Sequence, residues 1–459
     1  MRDPRPRAGT ALPYPAAAGS GTRAAATAPG TRAAARPGTR TAAGPSTRAA
    51  AATPGTRAAA TTPGTRAAAG SGTRVAGVPQ PRAGSGATGP VARDSGGGTT
   101  TGVAAATVAV APGARARAGV VLPEPRPAGD AAPRPLKVVA FGGGHGLSAS
   151  LRGLLRCSAD VALEITAIVT VGDDGGSSGR LRAERDALLP PGDLRQALAA
   201  LAAGEPTMQR TADVLQYRFA AMPASADGGA DPLAGHAVGN LLLLGLMEML
   251  GDPVVALDHA AAMVGARGRV LPMARHAVEI EADIRGADPN RPAEIVTVSG
   301  QHAVAVALGH VEAVRITPVD PPTCPQAIDA IGEADWLIFG PGSWYTSVLP
   351  HLLVPRLAEA ITKSRARRLV TLNLAAENET LGLSVADHLA ALHWYLPGLR
   401  VDTVLADAKW VGEPEPVHHA AESLGAQLVL APLAVADGSP RHDPESLGVA
   451  LVPVLGAAR

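Results

Sequence analysis

Cysteine is nearly absent: Cys157 and Cys324 are the only two, far apart and without CxxC spacing. That excludes a disulfide framework and a thiolate zinc centre as organising devices, and it fits a reducing compartment. Aromatic residues make up only 2% of the chain and do not interleave with the basic residues near the amino terminus. No run of eighteen apolar residues occurs, so no transmembrane helix is expected. The amino terminus also lacks the compact apolar core of a secretory signal peptide. These absences predict a cytoplasmic protein without membrane insertion. Catalytic signatures are missing as well. There is no GxSxG elbow, no HExxH pair, no Gly-Lys-Ser/Thr to complete a P-loop and no dinucleotide-binding fingerprint.

What is present divides the chain in two. Residues 1–129 hold no lysine, and sixteen arginines against three acids (Asp3, Asp94 and Glu124), so the net charge of +1 conceals a basic tail on an acidic body. In the tail a Gly/Ser-Thr-Arg unit recurs seven times, with arginines at Arg23, Arg32, Arg40, Arg48, Arg57, Arg66 and Arg74. Its units carry no large apolar side chain to stack between neighbours, so burial cannot offset the entropy of ordering them. A disordered segment over 1–134 and a single folded domain over 135–459 are therefore expected. Singly spaced arginines give only weak, salt-sensitive contact with nucleic acid, and no nucleic-acid partner is expected.

From Lys137 onward, short apolar runs alternate with helical stretches. The runs are Lys137–Phe141, Ile165–Val171, Trp336–Phe339, Leu369–Leu374 and Val401–Leu405. Continuous apolar strands alternating with helices predict an α/β, three-layer Rossmann-like domain with a mostly parallel sheet. Such sheets bind ligands beyond the carboxyl ends of their strands, so the loops that follow the strands are the candidate site.

The first strand runs into Gly142-Gly143-Gly144-His145-Gly146, and a helix follows. Glycines there let backbone N–H groups approach a phosphate closely. The second strand ends in Gly172-Asp173-Asp174-Gly175-Gly176-Ser177-Ser178-Gly179-Arg180. Its carboxylates suit sugar or base donors, or a magnesium ion shared with substrate phosphates, and Arg180 suits a phosphate. No metal or other cofactor is required by this pattern; Mg²⁺ at Asp173 and Asp174 is the one candidate. Asp193, in Pro190-Pro191-Gly192-Asp193-Leu194-Arg195, reads as a helix cap or first-turn acid, with Arg195 within reach of the pocket. Asn240 opens the helix Leu241–Leu250, which is apolar on nearly every side and so predicted to be buried. A polar Asn240 at a buried helix start needs partners, and His236 reads as a histidine satisfied by its surroundings. The last loop, Gly340-Pro341-Gly342-Ser343-Trp344-Tyr345, again joins a strand end to glycines and hydroxyls. Tyr345 has two readings there, a stacking surface for a base or a core residue. Loops that follow strands of one sheet are expected to converge on one crevice.

These segments, read in order as GGGHGLS, AIVTVGDDGGSSGRLR, LPPGDLRQALAAL, GHAVGNLLL and ADWLIFGPGSWYTSVLP, resemble the YvcK-type gluconeogenesis factors. That family is similar in turn to the 2-phospho-L-lactate transferase (CofD-like) group. The likeness covers nearly all of residues 136–412, and PRHDPESLG at 440–448 looks like actinobacterial members. The resemblance implies binding of UDP-sugars, UDP-N-acetylglucosamine above all. It also implies a regulatory role in cell shape and peptidoglycan synthesis on gluconeogenic carbon sources, a homo-oligomer and a cell-wall-synthesis protein as partner. It leans away from catalysis; the alternative is a metal-dependent transferase of phosphorus-containing groups acting on a phosphorylated small molecule. Three positions depart from the family pattern: His145 replaces a threonine, Trp344 a leucine, and Ala375–Thr380 a TQPGET-like stretch.

Overall fold

The computed structural model describes residues 134–221, 231–375 and 384–457. The expectations about the tail before Arg134 and about Ala376–Thr380 lie outside the described residues. Arg134 itself is ordered by Asp335, whose carboxylate accepts both its terminal nitrogens at 2.7 and 2.8 Å.

Chain order runs β1 (Leu136–Gly142), α1 (Gly144–Cys157), β2 (Leu163–Val169), α2 (Gly176–Arg185), α3 (Pro191–Ala200), α4 (Pro206–Gln216), α5 (Val238–Leu250), α6 (Pro253–Met263) and β3 (Arg269–Pro272). Next come β4 (Glu279–Arg285), β5 (Ile295–Ser299), α7 (Gln301–Val306) and β6 (His310–Thr317). The last strands are β7 (Trp336–Phe339), β8 (Arg367–Thr371), β9 (Thr403–Asp407) and β10 (Gln427–Ala431), separated by helices. Seven strands form one sheet in the order β10-β9-β8-β7-β1-β2-β3, and every pairing in it is parallel.

The order explains where a ligand can sit. From β1 the chain winds to β2 and β3 on one side. It then crosses back to β7 on the other side and continues outward to β10. Helices leaving β1 and β7 therefore diverge, and a crevice opens at the carboxyl ends of these two strands. The strands beneath it are the most buried part of the core. Phe141 and Phe339, partners in register, are fully buried and stack with ring centroids 4.8 Å apart.

A second sheet, β5-β4-β6, is antiparallel. In β4, Ile280, Ala282 and Ile284 face inward, while Glu281 and Asp283 bond Arg315 of β6 at 2.6 and 2.9 Å. This one-sided alternation marks a sheet with a single covered face. It escapes a search for continuous apolar runs. The apolar helix α5 also differs from expectation. Leu243, Leu246 and Met247 are buried, but Met249 and Leu250 are exposed, because α5 packs on α3, α4 and α6 and leaves one stripe uncovered.

Candidate functional site

Three loops meet at the crevice. Loop 1 (Gly142–Gly146) touches loop 2 (Thr170–Gly175) through Gly143: a Cβ at Gly143 would lie 2.5 Å from Thr170 Cγ2 and closer still to the Asp193 carboxylate. Loop 1 touches loop 3 (Gly340–Ser343) through Gly146, where a Cβ would lie 2.5 Å from Gly342 Cα and against the Pro341 carbonyl. Only residues without side chains allow backbones this close. Asn373, just beyond β8, fixes loop 3: its Oδ1 accepts the Gly342 N–H at 2.9 Å and its Nδ2 donates to the Gly342 carbonyl at 2.8 Å.

Loop 2 sends its two aspartates in different directions. Asp173 turns back to accept the Gly175 N–H at 3.0 Å, and its other oxygen faces Gly192. Asp174 turns outward, accepting the His302 N–H at 2.8 Å beside Gly300, and so ties loop 2 to the first turn of α7. A second carboxylate, Asp193, lies within electrostatic reach of Asp173. Of its two sequence readings, cap or first-turn acid, Asp193 fits the second: it stands in the first turn of α3, whose N-cap is Pro190. It accepts a bond from the Gly144 backbone and lies under loop 1. Burial, and then the Asp173 charge, push its pKa up to about 7 against the pull of the Gly144 N–H and of Arg195.

Behind loop 2 lies a buried relay. Asn240 Nδ2 donates to Ser177 Oγ at 3.0 Å, and Ser177 Oγ meets His236 Nδ1 at 2.9 Å. Burial holds His236 below its ordinary pKa, so the ring is neutral at neutral pH, and its tautomer sets which of Nδ1 and the serine hydroxyl donates. Asn240 thus has the partner that a buried polar helix start demands, and its Oδ1 is left open.

Five buried polar atoms around loops 1 and 2 have no hydrogen-bond partner among the described residues: Thr170 Oγ1, Asp193 Oδ2, Arg195 Nε, Asn240 Oδ1 and, against Gly172, Gln301 Oε1. Each such atom costs about 1–3 kcal/mol if nothing meets it. A cluster of them at one strand-end crevice indicates a surface built for a polar ligand.

Other predicted residues stand as follows. Gly175 and Gly176 open α2, with Gly176 at φ 45°. Ser343 Oγ bonds Thr346 Oγ1 at 2.6 Å. Tyr345 is a core residue, buried with Trp344 in a π-helical turn over Trp344–Val348. Arg180 does not face the loops: its terminal nitrogens donate to the carbonyls of Ala234 and Pro232, each at 2.7 Å, so it serves to hold that segment in place. Sequence reading missed Thr170 and Asn373, whose only signal is a polar residue at the end of an apolar strand. A separate groove of about 690 Å³ runs along the amino ends of β1–β3. Lys137 pairs there with Glu333 and Arg269 with Asp258, and none of the buried polar atoms without a partner lines it.

Comparison with known proteins agrees with this architecture. Residues 138–431 match the family described as 2-phospho-L-lactate transferase CofD. The chain belongs to the CofD family. Within that family it is of the gluconeogenesis-factor, YvcK-like type. It is 48% identical over 318 residues to a Mycobacterium tuberculosis protein named "Putative gluconeogenesis factor", covering 68% of this chain and 89% of the relative. It is 39% identical over 274 residues to the gluconeogenesis factor of Bacillus subtilis, covering 60% and 79%. The crystal structure of a UPF0052-family protein from Bacillus halodurans superposes with a TM-score of 0.59 at 33% identity, covering 70% of this chain and 99% of that one. Among the described residues of this CofD-family chain, no helix is long and apolar enough to cross a membrane.

Proposed function

We propose that this protein is a cytoplasmic regulator that binds a UDP-sugar, UDP-N-acetylglucosamine foremost, in the crevice between β1, β2 and β7. The observation that carries this reading is the meeting of three glycine loops over the unmet polar atoms of Thr170, Asp193, Arg195 and Asn240. Glycine backbones leave room for a diphosphate, and Asn240 Oδ1 and Asp193 Oδ2 are acceptors for sugar or base donors. The serine–histidine contact behind loop 2, Ser177 with His236, is buried and its serine is also held by Asn240, and we read the site as one for sensing. In this reading the bound state adjusts peptidoglycan synthesis and cell shape during growth on gluconeogenic carbon, through a cell-wall-synthesis protein and as a homo-oligomer. Titration calorimetry with UDP-N-acetylglucosamine, UDP and uridine is the test. We expect the diphosphates to bind at least about tenfold more tightly than uridine, since charge-assisted bonds carry most of the affinity. Equal affinity for uridine, or no heat with any of the three, would remove the reading.

A second reading, metal-dependent transfer of a phosphorus-containing group, is favoured by one feature. Asp173 lies within electrostatic reach of Asp193, which is raised to about 7, and carboxylates that repel each other suit a hard divalent cation. Mg²⁺ would sit there rather than between Asp173 and Asp174, whose carboxylates diverge. When bound it would neutralise the paired carboxylates and a neighbouring phosphate. Turnover of a nucleotide-linked substrate with Mg²⁺ would establish this reading over the first.

A further inference from the structure

We propose that Arg195 is the cation that receives the ligand's phosphate, at an anion site beneath loops 1 and 2; this deepens the reading above and rests on it only for the identity of the ligand. Arg195 is 3% exposed, yet its guanidinium makes no hydrogen bond or ion pair to any described residue. Its stem lies flat on Gly239 at the start of α5, where a Cβ would come within 2.9 Å of its Cγ and Cδ. The head group lies within electrostatic reach of Asp193, Asp173 and Arg218. The two acids act on it through space without bonding it, while Arg218 commits one N–H to the Gly235 carbonyl at 2.9 Å.

A buried guanidinium with five donors and no acceptor is a poor structural element, because a buried charge needs a partner to stay favourable. It is a good binding element, because its planar fork matches two oxygens of a phosphate. Arg180 is engaged on the carbonyls of Pro232 and Ala234 and Arg275 on Asp252 at 2.7 Å, while Arg182, beside Gly172 and Asp174, is only half-buried. Beside Arg195, Asp193 Oδ2 and Asn240 Oδ1 are acceptors without donors. A ligand that satisfies the whole group must carry an anion together with hydroxyl or N–H donors, or an anion with a bound cation. Phosphate esters of sugars and nucleoside diphosphates belong to that class.

The test uses the full chain and two probes, inorganic pyrophosphate and UDP-N-acetylglucosamine, measured by calorimetry in wild type, Arg195→Met, Arg195→Lys and Arg180→Gln. Arg195→Met is expected to weaken pyrophosphate binding roughly 10- to 100-fold, the worth of charge-assisted hydrogen bonds. Arg195→Lys should recover part of that loss. Arg180→Gln should stay within about twofold of wild type, since surface-side arginines on carbonyls do not touch the anion. The melting temperature of ligand-free Arg195→Met should equal or exceed that of wild type. A drop in melting temperature or an unfolded variant would mean that the guanidinium is structural, and would overturn the proposal. So would unchanged pyrophosphate binding in Arg195→Met, or none in wild type. Arg195-dependent pyrophosphate binding without UDP-sugar binding would sustain the anion site and sink the UDP-sugar reading. UDP-sugar binding indifferent to Arg195 would do the reverse.

Discussion

Gly146→Ala should weaken UDP-N-acetylglucosamine binding at least about 100-fold, the effect expected when binding groups are displaced by about 1 Å. The added methyl group has nowhere to go. It meets the Pro341 carbonyl and Gly342 Cα, both of them backbone, so relief requires loops 1 and 3 to separate. Overpacking of this kind costs about 1–3 kcal/mol of stability, so the variant should remain folded with a modestly lower Tm. Gly245→Ala is the control. No atom lies within 4 Å of the added methyl at that position in α5, and a helix-interior Gly→Ala change stabilises by roughly 1 kcal/mol. Calorimetry and a thermal melt on both variants separate loss of the site from loss of the fold.

Asp193→Asn should make the ligand-free protein more stable at pH 8 while weakening ligand binding at least about tenfold. An unstructured aspartate titrates at 3.8, but burial and the Asp173 charge raise the folded value to about 7. Between those values the native state holds a proton that the unfolded chain has released. Wild-type stability therefore falls as pH rises from about 4 to about 7 and is level above that. Asparagine removes the titration. It should flatten that slope and raise stability at pH 8 by roughly 1–3 kcal/mol, while still accepting the Gly144 N–H. Denaturant melts of both proteins across pH 4–8 provide the check; a wild-type slope that is flat or rising in this window would contradict the assigned environment. A substitution that stabilises the fold and damages binding is the mark of a residue kept for its site.

Half of this was legible in the chain itself. The strands β1, β2, β7, β8 and β9 announce themselves as apolar runs because both faces of a parallel sheet are covered. β3 is four residues ending in Pro272, β4 and β5 alternate between more and less buried side chains, β6 is interrupted by Glu312 and Arg315, and β10 has a part-exposed face. Charged and hydroxyl residues break β4 and β5, whereas Leu428–Ala431 of β10 is as apolar a run as Trp336–Phe339 and was passed over. The glycine loops were legible for the same reason as their strands, and the order β7-β1-β2 brings them together.

The side chains behind the loops were not legible, because local sequence does not say which way a polar group turns. A first-turn aspartate has the same sequence context whether it caps its helix or, as Asp193 does, reaches across to Gly144. Arg180 follows a Gly-Ser stretch as a phosphate-binding arginine would. Its acceptors are carbonyls more than fifty residues away, and only the folded chain reveals them. Arg195 is the converse: it stands between Leu194 and Gln196 with nothing local to mark it, and what sets it apart is that its guanidinium bonds none of the acceptors around it once α3 and α5 are packed.

The central claim is that one ligand engages loops 1, 2 and 3 together. Amide hydrogen exchange with and without saturating UDP-N-acetylglucosamine tests it most directly. The account predicts joint protection of the segments covering 143–147, 175–180 and 342–347, with the amino-end groove around Arg267 unchanged. Protection confined to one of the three loops, or centred on that groove, would contradict it.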